Sequence, residues 1–210
     1  MKQPQSLSTI MLKELPTAKF TSSPSELSAV SQQRAAIVIS LFGDSQAFLD
    51  KVNPSTQTAF ASNPSKAVMG DYPTLTDLKS AYGKNFAAIW LVPQIDNLTL
   101  FTGAKNITEQ QHEELAKIIS TEYGYLKVTE LLLFFHRFKA GHYGRFYGAV
   151  DPMVITCALK DFIKERNTFI DQYERDANNL KRELDKNVPT MSHEEYLKLK
   201  QLENKEDNED

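Results

Sequence analysis

The sequence predicts a mainly α-helical protein, built as a single helical domain with a long projecting C-terminal helix. Thr108 and Ser192 each begin a capping-box pattern, in which a hydroxyl and a side chain three residues later satisfy the first free amides of a helix. The pair Asp151-Pro152 is a second kind of helix start, with a capping carboxylate followed by a proline at the first helical position. Apolar residues also recur at helical spacing through much of the chain.

Composition divides the chain into three parts. Residues 1–24 are rich in Ser, Thr and Pro, which is typical of a flexible N-terminal arm. Residues 25–187 carry the helical patterns, and at 210 residues in total the chain can bury one core. Residues 188–210 are expected to form a short helix and an acidic tail.

The first half of the domain contains two predicted helices followed by a loop. Ser25 is expected to cap a helix that ends at Gly43, and Asp44 caps a short helix after it. Residues 53–73 contain two Asn-Pro steps, which favour turns, and therefore predict a long loop.

A further helix is predicted from Thr74 to Pro93, with Trp90 in the core. The apolar run 98–101 that follows is compatible with a strand or with another turn of helix.

The second half carries three helix patterns. The capping box at Thr108 starts a helix that ends near Gly124, and Thr129 is expected to cap a helix that is apolar on nearly every side and ends at Gly141. From Asp151 onward, apolar residues follow a repeat close to 3.5 residues that is interrupted by Arg166. A helix of about 35 residues, about 50 Å long, is predicted, and its second half is free to pair with another chain.

Charge and composition exclude several classes of protein. The net charge of −3 rules out a nucleic-acid footprint over the whole surface, so a contact of that kind has to be local. No apolar run approaches the length of a membrane span, and residues 1–20 lack the apolar core of a secretory signal, so we expect a cytoplasmic protein without membrane contact.

We expect no enzymatic activity, no cofactor and no metal site. Cys157 lies within a helical pattern, where a buried thiol is the usual state, and no base is placed by sequence beside it. His136, His142 and Asp151 do not make up a ligand set, and no phosphate-binding loop of the Walker type is present.

The segment 134–148 is the most distinctive part of the chain. It holds six aromatic residues, three basic residues and three of the eight glycines. In one interpretation the rings are core, the glycines make a tight turn and the charges lie in solvent. In the other, aromatic and basic side chains contact nucleic-acid phosphates and bases or an acidic partner. The candidate binding residues are Arg137, Lys139, His142, Tyr143, Arg145 and Tyr147.

A family resemblance rests on the run from Glu130 through the glycine–tyrosine turn to Asp151-Pro152, continued by the helix that reaches Arg166. This run is similar to an uncharacterised family found in bacteroidete genomes and their mobile elements. Residues 108–175 also resemble helical replication accessory proteins of phages, of the helicase-loader-like kind. The resemblance implies a helical fold, and without Walker residues it admits the adaptor type alone.

Two functions are compatible with these observations. The first is a non-enzymatic accessory or adaptor protein in DNA replication or maintenance of a phage or mobile element, which binds protein, with or without DNA, through the 137–147 loop and the projecting helix. The alternative is a protein–protein interaction or oligomerisation module that self-associates through residues 166–187 and makes no contact with nucleic acid.

Overall fold

The computed structural model describes residues 28–103, 107–187 and 196–197. Those residues are predominantly helical, and the extended backbone pairing among them is an isolated antiparallel bridge between Thr74 and Lys127. The mainly α prediction is therefore confirmed, as is the long C-terminal helix. None of the described helices is both long enough and apolar enough to cross a membrane.

The chain divides into two compact units, the first ending at Arg166 and the second beginning at Asn167. In chain order the α-helices are α1 Ala29–Phe42, α2 Ser45–Lys51, α3 Gln57–Ala61, α4 Pro64–Met69, α5 Leu75–Tyr82, α6 Phe86–Thr102, α7 Glu109–Glu122, α8 Val128–Lys139 and α9 Pro152–Asn187, with a short 3₁₀ helix at Pro54–Thr56.

Helix α8 is the centre of the first unit. Its apolar residues, from Leu131 to Phe135, are all buried, and α8 packs against α3, α4 and α6. Helices α1 and α7 pack on the outside of this group, against α5 and α6 respectively. The helix that is apolar on nearly every side is thus the one buried on nearly every side, as its sequence predicts.

The predicted helix starts at Thr74, Thr108 and Asp44 are confirmed. Thr74 and Thr108 each form a complete capping box, in which the hydroxyl accepts from an amide three residues later and that residue accepts in return. The Asp44 carboxylate accepts from the amide of Ala47 at 2.8 Å. These hydrogen bonds are local, which is why the sequence alone predicts them.

The prediction of a long loop over 53–73 is wrong. This segment forms the 3₁₀ helix, α3 and α4. Each Asn-Pro step starts a helix, because the Asn53 side chain caps the 3₁₀ helix and the Asn63 side chain caps α4, with proline at the following position. Asparagine at the cap and proline at the first helical position are as favourable for a helix start as for a turn.

The prediction of one helix over 74–93 is wrong in two respects, because the segment forms two helices and the second continues beyond Pro93. The chain breaks at Gly83, where α5 ends, and α6 then continues through Pro93 to Thr102. Proline normally ends a helix, but Trp90, Leu91 and Ile95 are fully buried around it, and this burial outweighs the lost hydrogen bond. The run 98–101, compatible in sequence with a strand, is helix.

One other helix start differs from its prediction, and two predicted caps lie outside the described residues. Helix α8 begins at Val128 rather than after a Thr129 cap, and the buried Thr129 hydroxyl donates to the Ala67 carbonyl at 2.7 Å. Helix α1 begins after Ser28. The predicted cap at Ser25, the arm over 1–24, the Ser192 cap and the acidic tail lie outside the described residues.

Candidate partner-binding site

Three glycines shape the segment between α8 and α9, which we call the glycine–tyrosine loop (residues 140–151). Gly141, Gly144 and Gly148 have φ values of 87°, 90° and 78°. No other atom lies within 4 Å of a Cβ built on any of the three. The backbone conformation, rather than lack of space, therefore requires glycine at these positions, as the sequence predicts.

Aromatic side chains hold the loop against α8. The Tyr143 ring lies 5.7 Å from the Phe134 ring and 6.0 Å from the Phe138 ring, between centroids. The Phe146 ring stacks on Phe138 at 5.3 Å. Because Phe134 and Phe138 are buried, Tyr143 and Phe146 anchor the loop to the core of the first unit.

The Glu165 carboxylate of α9 contacts both the end of α8 and the first part of the loop. Its Oε2 accepts from Arg137 Nη1 at 3.0 Å and from the Tyr143 hydroxyl at 3.2 Å. Burial, followed by the charge of Glu165, raises the pKa of Tyr143 to about 12. The hydroxyl is therefore protonated at neutral pH and donates, and both Arg137 and Tyr143 are held within the fold.

Lys139 is also held by a neighbour in the fold. Its Nζ donates to Asn97 Oδ1 at 2.7 Å and lies 5.8 Å from the centroid of the Phe101 ring. Burial lowers the pKa of Lys139. Phe101 is 63% exposed and Leu100 is 75% exposed, so an apolar surface adjoins this lysine. Neither residue is among the six site residues predicted from the sequence, although the apolar run 98–101 contains both.

The other predicted site residues point outward. His142 and Arg145 are exposed, and Tyr147 is 91% exposed. We call these three residues the loop surface. The six predicted residues thus form two groups, because Arg137, Lys139 and Tyr143 make contacts within the chain while His142, Arg145 and Tyr147 face solvent.

The positive charge of this region is largely matched by groups in the chain. Lys127 Nζ donates to the carbonyls of Val68 at 2.9 Å and Gly70 at 2.7 Å. The buried Glu130 carboxylate accepts from Arg166 Nε at 2.6 Å. At the start of α9, the Asp151 carboxylate accepts from the Met153 amide at 2.8 Å and thus takes a place that an external anion would use.

The candidates for metal ligation and nucleophilic chemistry lie within this region and on α9 next to it. In the part of the chain that the structure covers, no three His, Cys, Asp or Glu residues gather closely enough to hold a metal ion. Burial, followed by the nearby Lys139 and His142, lowers the pKa of His136. Cys157 is exposed, so the expectation of a buried thiol is wrong: position 157 lies on the outward side of α9, whereas Ile155, Ala158 and Leu159 face inward.

Among known proteins, the chain has a match to a family profile. No curated protein and no solved structure matches the chain. The residues that match the family profile include α8, the glycine–tyrosine loop and α9. This result agrees with the resemblance to an uncharacterised family. Residues 106–207 match the profile of a family of unknown function (DUF6633).

Proposed function

We propose that this protein is a non-enzymatic accessory or adaptor protein that binds a protein partner through the loop surface. The observation that carries the proposal is the position of Tyr147, which is 91% exposed on a loop that three glycines shape and two rings anchor. An exposed tyrosine contributes little to folding. At an interface it is a preferred anchor, because it buries a large area while losing few rotamers.

The charge distribution favours a protein partner over DNA. Arg137, Lys139 and Lys127 donate to groups of the chain, and the Asp151 carboxylate lies at the start of α9. A phosphate backbone needs several cations along one track. The loop surface supplies Arg145 and His142 beside the tyrosine, which supports a small local contact at most.

A setting in DNA replication is the more specific form of the proposal. It is supported by the resemblance of residues 108–175 to helical replication accessory proteins of phages, and by the resemblance to a family of bacteroidete genomes and mobile elements. In that setting the protein acts in the cytoplasm and the partner is a replication protein. The alternative, a protein-interaction or oligomerisation module without nucleic-acid contact, is favoured by the matched charges around the loop.

Site-specific photo-crosslinking tests the proposal. A benzoylphenylalanine is placed at Tyr147 in one variant and at Tyr125 in another, because Tyr125 is also exposed, at 52%, and precedes α8 instead of following it. We expect a discrete crosslinked protein from position 147, lost when Arg145→Ala is added and absent from position 125. Equal crosslinking from both positions would contradict the proposal.

A titration with short DNA separates the two partner classes. Fluorescence anisotropy at low salt measures binding of single-stranded and double-stranded oligonucleotides to the protein and to its Arg145→Ala variant. Binding that falls steeply with salt and with the variant would assign the loop surface to DNA, since each neutralised phosphate releases counterions. We expect no such binding, with the crosslink to protein retained.

A further inference from the structure

The second unit presents an apolar seam along α9. Ile170, Tyr173, Ala177, Leu180 and Leu184 follow the spacing 3, 4, 3, 4. This is the a/d pattern of a coiled coil, with Ile170, Ala177 and Leu184 at a and the other two at d. Tyr173, Leu180 and Leu184 are 48%, 59% and 60% exposed, so the rest of α9 in this unit leaves the seam uncovered.

The exposure of this seam needs an explanation, because the helix here has little else to stabilise it. Residues 171–184 are all exposed, so this part of α9 lacks the tertiary packing that provides most of the stability of helices in proteins. Phe169 and Tyr173 contact each other on this surface, with ring centroids 6.5 Å apart. A partner helix that covers the seam would supply the missing packing.

The charges beside the seam match those of a second copy aligned in parallel. With Ile170 at a, Asp176 occupies a g position and Lys181 the e position five residues later. In a parallel coiled coil, g of one helix faces the following e of the other, so Asp176 of each copy faces Lys181 of the second copy. The twofold symmetry makes this attractive pair twice.

Antiparallel alignments are less favourable for the same residues. If Ile170 faces Leu180 of the second copy, Glu174 at an e position lies beside Glu174 of the second copy. Asp176 at a g position likewise lies beside Asp176 of the second copy, so both pairs have like charge. Shifting the alignment by one heptad pairs Glu174 favourably with Lys181 of the second copy, but it also places Asp176 beside Glu183 and removes Ile170 from the seam. Like charges at these positions destabilise a helix pair. The parallel alignment has the attractive pairs without the repulsive ones.

We propose that the protein forms a parallel homodimer through residues 170–184 of α9, held by this seam and by two Asp176–Lys181 pairs between copies. The proposal is independent of the partner assigned to the loop surface, since it uses residues of the second unit alone. It commits the seam to a second copy of this chain, and a helix of another protein is an outcome of the test.

Charge reversal tests the pairing. In sedimentation equilibrium at low salt we expect Asp176→Lys and Lys181→Asp each to weaken the dimer by about tenfold, because each turns two attractions into two repulsions. The combined variant restores association to near the original level. Asp171→Lys makes the same charge change at an outer b position and serves as the matched control, with no effect expected.

Disulfide trapping tests the orientation, in a Cys157→Ser background so that the introduced thiols alone react. Leu180→Cys is expected to crosslink to itself, because a d position faces its equivalent across a parallel dimer within the reach of a disulfide. Crosslinking of Ile170→Cys to Leu180→Cys in a mixture, without self-crosslinking, would overturn the parallel orientation.

Two other outcomes would overturn the homodimer itself. One is an unaltered protein that is monomeric at high micromolar concentration, and the other is a dimer that Leu180→Asp does not dissociate. Tyr147→Ala lies outside the seam and should leave the dimer intact. In the protein without this substitution, a dimer that gives no crosslink from position 147 overturns the loop-surface proposal alone, and a crosslink without a dimer overturns the homodimer alone.

Discussion

Arg137 and Glu165 join the end of α8 to α9, with Nη1 of the arginine 3.0 Å from Oε2 of the glutamate. The same oxygen accepts from the Tyr143 hydroxyl, so one carboxylate holds both the end of α8 and the first part of the loop. This arrangement separates the loop into an inner side that stabilises the fold and an outer side, with Arg145 and Tyr147, that is free to bind.

Alkaline pH is expected to destabilise the protein in part through Tyr143. Its pKa is raised from the ordinary 10.0 to about 12, so the folded state holds the phenolic proton more tightly than the unfolded state does. The contribution is complete below pH 10 and is lost as pH rises from about 10 to about 12. Chemical denaturation across this range should show a smaller loss of stability for Tyr143→Phe. An identical pH dependence of the two proteins would contradict the assignment.

The two arginines of the region should differ in their effect on stability. Arg166 pairs with the fully buried Glu130, whereas Arg137 pairs with a Glu165 that is 46% exposed. Arg166→Met leaves a buried carboxylate without its partner and is expected to cost about 3 kcal/mol. Arg137→Met should cost about 1 kcal/mol or less. Urea unfolding measures both, and equal losses would show that burial does not distinguish the two pairs.

Gly144 should resist replacement because of its backbone conformation alone. With φ at 90° and no atom within 4 Å of a Cβ, Gly144→Ala introduces no collision. We expect a loss of about 1–2 kcal/mol from the strained conformation, and a larger loss for Gly144→Val, whose branched side chain tolerates positive φ less well. Thermal unfolding compares the three proteins. A Gly144→Ala variant as stable as the original would mean that the loop does not depend on this conformation.

Local features of this fold could be predicted from the sequence, whereas features set by packing could not. The caps at Thr108 and Asp44 depend on hydrogen bonds three residues apart, and both are present. The passage of α6 through Pro93 depends on burial of Trp90 by distant residues, which no local pattern records. Asn before Pro occurs both in turns and at helix starts, so the step at Asn53 does not show from sequence alone which of the two forms.

In the candidate site, too, the local backbone could be predicted from the sequence but the long-range contacts could not. The glycines predicted a turn with a defined shape, and their positive φ values agree. Which side chains of the turn face inward could not be predicted, because helical periodicity ends at Gly141 and the partners of Arg137 and Tyr143 lie on Glu165, more than twenty residues away.

Parallel measurements on Tyr143→Ala and Tyr147→Ala test the central claim most directly. For each variant, the melting temperature is compared with capture of the protein that crosslinks at the loop surface, with Tyr125→Ala as the exposed control. The account predicts that Tyr147→Ala keeps the original melting temperature and loses capture, because its ring is exposed and contributes to binding alone. Tyr143→Ala should lower the melting temperature, because its ring packs on Phe134 and Phe138. Retained capture by Tyr147→Ala, with an unchanged melting temperature, would contradict the account.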